Sequence, residues 1–161
     1  MVCLVFSLLL VLLVTGGYAE QRKVPFPAEK MGMFLRVYAN CIVESGTIWE
    51  SLVVLKEGRM SDNNNFRKYV YCVFTSSGYS NKDGHIQEEK SLELFPESDR
   101  QIVKEQIVEC NKNQEVDPVD KVSAFYKCFI EKSPVILTIK PVDETKYFKD
   151  LRTNLLQKVF S

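Results

Sequence analysis

The stretch from Cys110 to Cys128, CNKNQEVDPVDKVSAFYKC, decides how the rest of the chain is read. Asp117, Pro118 and Asp120 form a helix start. An aspartate there accepts a hydrogen bond from an orphan backbone N–H, and proline is tolerated in the first turn, where its missing donor costs nothing. Val122, Phe125, Tyr126 and Phe129 then recur at three- and four-residue spacing and define an inward face that leads to Cys128. Upstream, Val103, Ile107 and Cys110 put the first cysteine in line with the core face of another helix. The segment FRKYVYCVF around Cys72 is the counterpart of this one, with Phe66, Tyr69, Val70, Val73 and Phe74 in a broad apolar stripe. YVYCVF is rich in β-formers, so a strand is the alternative. Helix is preferred because Asp62 and Asn63 to Asn65 supply a capped start and the stripe spans three turns.

Working outward, MVCLVFSLLLVLLV at the start is a continuous apolar run, followed by Gly17-Tyr18-Ala19. Small residues three and one places before a cut, after a run too short to span a bilayer comfortably, match a cleaved signal peptide. Residues 1–19 are therefore read as a signal and an exported chain as starting near Glu20. Cleavage removes Cys3 and leaves Cys41, Cys72, Cys110 and Cys128. An even set in an oxidising compartment points to two disulfides, and spacing leaves all three connectivities open. With no CxxC spacing and His85 as the only histidine, neither a zinc site nor any other metal is expected.

Val24-Pro25-Phe26-Pro27 reads as an extended arm. A helix follows from Ala28 to Glu44, with Phe34, Val37, Tyr38 and Cys41 on one side and Ser45-Gly46 at its end. Thr47 caps a second helix through a capping box with Glu50; Ile48, Leu52 and Leu55 share a face, Trp49 lies beside them and Gly58 stops the run. Ser76-Ser77-Gly78 closes the helix of Cys72, and Asn81-Lys82-Asp83-Gly84 is a turn. That turn looks like part of a calcium loop, but Tyr79 and Lys90 stand where carboxylates are needed. A short helix from Ile86 to Leu94 and a longer one from Glu97 to Asn113 lead to the stretch quoted first. Ser133-Pro134 breaks the last bundle helix, and Val135 to Ile139 is an extended apolar run. From Asp143, Phe148, Leu151, Leu155 and Val159 give an amphipathic tail over residues 143–161. The expected fold class is all-α: about six short helices before the tail, tied by two disulfides, in one domain over residues 20–142.

Lys plus Arg and Asp plus Glu are both 21, which argues against nucleic acid or an anionic surface as partner. No later apolar stretch is long enough for stable membrane insertion. Catalysis is not expected either. There is no HExxH, phosphate loop or dinucleotide fingerprint, the cysteines are committed to cross-links, and Glu88-Glu89 reads as solvated surface. No cofactor is expected.

In its cysteine segments the chain resembles the insect odorant-binding proteins, the pheromone and general odorant-binding family. That family has six cysteines, with three residues between the second and third and eight between the fifth and sixth. With Cys72 as third and Cys128 as sixth, the second falls on Lys68 and the fifth on Val119, while Cys41 and Cys110 take the first and fourth places. Asp83-Gly84-His85-Ile86 looks like the family's DGxI turn. The two absent cysteines are partners of one bond in the family, so the pattern resembles the minus-C subgroup. The resemblance implies the pairs Cys41–Cys72 and Cys110–Cys128, and a helical bundle that encloses an apolar cavity.

The resemblance further implies a secreted carrier of small hydrophobic ligands, odorants or pheromones, moving through aqueous lymph toward an odorant receptor as a monomer or weak homodimer. Candidate lining residues are Val37, Trp49, Leu52, Leu55, Met60, Phe74, Ile107, Phe125, Phe129 and Ile136. Each sits at core spacing, so simple packing is the competing role. Some relatives release ligand at lower pH and histidine is the side-chain type that responds there, so His85 is a candidate switch, although a turn histidine is more often just solvated. The run Val135 to Ile139 either crosses the cavity mouth or packs outside. Two other functions fit the same residues: a carrier of lipids or hormones in a non-sensory fluid, and a helical receptor ligand with a dry core.

Overall fold

The computed structural model describes residues 21–47 and 63–139. In chain order these form β1 (Arg22–Pro25), α1 (Ala28–Ser45), α2 (Asn64–Ser76), α3 (Glu88–Leu92), a 3-10 turn (Glu97–Asp99), α4 (Arg100–Cys110), α5 (Pro118–Lys132) and β2 (Val135–Thr138). The fold is mostly helical, as expected. The helix read after Thr47 and the amphipathic tail lie outside the described residues, as do Trp49, Leu52, Leu55 and Met60.

Local chemistry sets the helix ends. α1 stops at Gly46, which takes φ 70° and donates its N–H to the Ile42 carbonyl at 3.0 Å. A left-handed residue there is cheap only for glycine. Asn63 caps α2 by accepting from the Asn65 N–H at 2.8 Å, and YVYCVF is helix rather than strand. Asp117 Oδ1 accepts from the N–H groups of Val119 (2.9 Å) and Asp120 (3.2 Å), with Pro118 opening α5.

Three boundaries differ from the sequence reading. α3 covers Glu88–Leu92 instead of Ile86 to Leu94, because Ile86 is taken by other partners. It bridges to Ser80, and the Asn111 side chain holds both its N–H and its carbonyl at 3.2 Å. The helix read from Glu97 to Asn113 begins as a 3-10 turn and ends at Cys110, where the Asn113 side chain donates to the Cys110 carbonyl at 3.0 Å. Finally, the extended arm and the extended run pair as parallel strands, in register Arg22↔Val135 through Pro25↔Thr138. Val24 and Val135 are buried beneath this pair. Arg22 reaches across it to the carboxylate of Asp99, which is almost completely buried.

The disulfides join Cys41 to Cys72 and Cys110 to Cys128, the pairing that the resemblance implied. Tyr38 meets Tyr69 three residues before each member of the first pair, so α1 and α2 run in the same direction. α2 and α5 also run alike: Arg67 pairs with Asp120 at 2.7 Å near their starts, and Phe74 meets Phe125 and Tyr126 further on. The core between them is closed by Tyr38, Phe66, Val103, Ile107 and Val122. Gly84, at φ 79°, lies against the first turn of α5, where an added Cβ would stand 2.6 Å from the Pro118 carbonyl oxygen.

Candidate ligand-binding site

Aromatic side chains organise the interior into two connected series. One follows the arm, α1 and α2: Phe26 to Phe34 with ring centroids 4.9 Å apart, Phe34 to Tyr38 at 6.0 Å, Tyr38 edge-on to Tyr69 at 5.6 Å, and Tyr69 to Phe66 at 5.9 Å. The other follows α2 and α5: Tyr126 to Phe74 at 6.0 Å, Phe74 to Phe125 at 6.2 Å, Phe125 stacked on Phe129 at 5.8 Å, and Phe129 to Phe95 at 6.2 Å. Offset and edge-on geometries at these separations are favourable, so each ring fixes its neighbour. Both series share α2, with Tyr69 in the first and Phe74 in the second.

Burial is uneven along them. Tyr38, Phe66, Tyr69, Phe95 and Phe125 are buried, whereas Phe34, Phe74, Tyr126 and Phe129 pack on the core and remain half-buried. Burial alone pushes the Tyr126 hydroxyl pKa up, so protein surrounds it closely.

The hydroxyls gather on the same side. Burial, first, and then the adjacent Tyr38 and Tyr126 hydroxyls push the Tyr69 phenol far above its ordinary pKa, Tyr38 also as a hydrogen-bonding partner. No lysine, arginine or carboxylate contributes at Tyr69 or Tyr126. The Tyr69 and Tyr126 phenols are neutral at any physiological pH.

Of the candidate lining residues, Phe74, Phe125 and Phe129 come together in the second aromatic series. Val37 on α1 and Ile136 on β2 are half-buried. Ile107, on α4, is 1% exposed and lies in the closed core. Tyr38, Tyr69, Tyr126 and Phe95 join the aromatic series without being among the candidate lining residues. Their signal was the inward helical position of a residue with a polar tip, which an apolar periodicity counts as plain core. His85 is exposed in its turn, its N–H donating to Asn81 Oδ1 at 2.8 Å. An open, partly polar depression between His85–Glu88 and Val108, Asn111 and Lys112 on α4 contains none of the aromatic series. It opens broadly to solvent, which makes it a poor host for an apolar molecule.

The PBP/GOBP family model matches residues 24–132, which takes in all four paired cysteines and both aromatic series. The chain belongs to this family. No curated protein sequence matches it. Solved structures of family members share the fold at low identity. Odorant-binding protein 7 of Anopheles gambiae, with four disulfide bridges and an azo compound in complex, is 21% identical, with a TM-score of 0.56 over 65% of this chain and 86% of its own. A Locusta migratoria odorant-binding protein is 17% identical, TM-score 0.57, over 83% of this chain and 96% of its own. A medfly odorant-binding protein is 21% identical, TM-score 0.53, over 63% and 89%. Two disulfides are present here among the described residues, against four in the mosquito protein.

Proposed function

We propose that this protein is a secreted carrier that takes up small hydrophobic ligands, odorants or pheromones, inside the helical bundle and conveys them through aqueous lymph to receptors. Membership of the odorant-binding family supports the class of function, a binding protein rather than an enzyme. The observation that carries the reading is the set of half-buried aromatic side chains of α2 and α5, Phe74, Tyr126 and Phe129, which rest on the core without being closed over. An apolar guest laid on them removes hydrocarbon from water at about 25 cal/mol per Å². Phe125, Val37 and Ile136 complete the proposed lining. Residues 1–19 serve as the export signal and 143–161 as a tail beyond the carrier domain. No described helix is long and apolar enough to cross a membrane.

Displacement fluorimetry tests this. Oxidised protein from a secretory host should take up an apolar fluorescent reporter saturably, about one per chain, and release it to micromolar volatile ligands, as pockets of this kind do. No uptake by a folded sample would overturn the reading in favour of a dry bundle.

A further inference from the structure

One buried charge in this molecule is used neither by the helical core nor by the proposed lining. Asp99 ends the 3-10 turn before α4 and is 4% exposed. Its carboxylate caps no N–H of α4. Oδ1 takes the Arg22 guanidinium of β1, and Oδ2 is buried without a hydrogen-bond partner. Among the described residues Asp99 has no other ion pair; Arg100, next in the chain, turns its Nε to the Phe95 carbonyl at 3.3 Å. The Arg22 side chain is itself 56% exposed. The two partners are therefore unequal. Arg22 keeps most of its water whether or not the pair forms, whereas Asp99 has given up water and has Arg22 alone in return.

We propose that β1 and the following Phe26 form a strap, latched by the Arg22–Asp99 pair, that lifts as a unit to pass ligand into and out of the bundle. The inference rests on the carrier reading. The strap touches two sides of the proposed lining. Lys23 is in register with Ile136 on β2, and the Phe26 ring lies 4.9 Å from that of Phe34, one helical turn before Val37 on α1. Lifting it frees both sides together, while the helices stay joined by Cys41–Cys72 and Cys110–Cys128. The ladder that holds it is only four residues long on each strand, and a lone two-stranded pair of that size is marginal in water. Asp99 makes closure conditional. With Arg22 seated, the carboxylate is tolerated in its buried place. With Arg22 withdrawn, it is a buried anion without a counter-ion, and lifting the strap lets water reach it.

Native-state amide exchange and reporter release, both on the oxidised protein, test this. The Arg22 and Phe26 N–H groups donate to the Pro134 and Thr138 carbonyls at 2.8 and 2.9 Å. In wild type they should exchange through an opening that leaves α2 and α5 protected. Exchange only together with those helices would overturn the strap. Arg22→Gln should speed exchange of the Phe26 amide about a hundredfold, the scale of stranding a buried charge, and speed release of a bound apolar reporter with it. Adding Asp99→Asn should bring both rates back to within about tenfold of wild type, because the neutral pair strands no charge. An arm that had merely lost one contact would gain nothing from the second substitution. Absence of that rescue, or a reporter release rate that ignores the arm, would overturn the proposal. If Arg22→Gln folds poorly, wild type decides alone, with the opening rate read where every opening leads to exchange. Release no faster than that opening supports the strap, and release faster than it refutes the strap, since ligand would then leave with the arm closed. Failure to take up any reporter would defeat the carrier reading itself, whereas uptake with release independent of the arm defeats this inference alone.

Discussion

Two helix contacts in this molecule are stitched by sulfur, while a third is packed at least as extensively without it. α1 is bonded to α2 through Cys41–Cys72 and α4 to α5 through Cys110–Cys128. α2 meets α5 from Arg67–Asp120 to Phe74–Tyr126 with no covalent link among the described residues. Lys68 and Val119 stand where the family resemblance places the second and fifth cysteines. One residue away from each, Arg67 and Asp120 form an ion pair, and Phe74 meets Phe125 and Tyr126 further along. Asp117 caps the start of α5, and Gly84 seats the preceding turn against Pro118. The comparison teaches that a helix contact needs no bond to be specified. Its position is over-determined by a cap, a close backbone approach and ring packing. What the bond adds is a restriction on the unfolded chain.

That view is open to attack at several points. The largest effect should come from adding the bond that the family resemblance places between these two helices. Lys68→Cys with Val119→Cys should form a third disulfide in the oxidised protein and raise unfolding stability by up to about 4 kcal/mol, less whatever the existing cross-links already restrict. Peptide mapping and urea denaturation would check it. Failure of the two thiols to pair would mean that α2 and α5 are not aligned as the resemblance places them. Next, Cys41→Ala/Cys72→Ala should lose roughly 3.7 kcal/mol and Cys110→Ala/Cys128→Ala roughly 3.2, since the loops they close differ in length. The order of the two losses, read from denaturant midpoints, matters more than either size.

At the unstitched contact, Gly84→Ala should cost about 2 kcal/mol, because alanine resists a positive φ and its methyl group meets the Pro118 carbonyl. A neutral result would show that the turn does not seat α5. Smallest of all is the ion pair. Both partners are more than a third exposed, so a double-mutant cycle of Arg67→Ala and Asp120→Ala should give a coupling below about 1 kcal/mol. A larger coupling would make the pair do the work of a cross-link between α2 and α5.

Much of this fold was legible in the sequence because helical periodicity and caps are local. The stripe of α2, the Asp117-Pro118 start of α5 and the Ser45-Gly46 stop of α1 are written in adjacent residues. The pairing of the cysteines was not, and came only with the family. The β1–β2 pair was missed as a pair. Both segments read as extended, but nothing local announces a hydrogen-bonded partner at the far end of the chain. The site was legible in part. Phe74, Phe125 and Phe129 do come together, since each already pointed inward on its own helix. The tyrosine group was not foreseen, because its three members sit on three helices and their convergence belongs to tertiary structure.

The strand pair also carries a consequence for the order of folding. Thr138 Oγ1 donates to the Val24 carbonyl, and the Gln21 side chain reaches the carbonyls of Ile130 and Ser133 at the end of α5. These contacts span more than a hundred residues of chain, so the entropy of closing that loop delays them until little else is left to form. Each disulfide shortens the path, bypassing 31 and 18 residues respectively. Oxidation of the bundle therefore prepares the meeting of the two ends. In the reduced chain the first residues to lose amide protection should be those of Arg22–Pro25, well before the helices open.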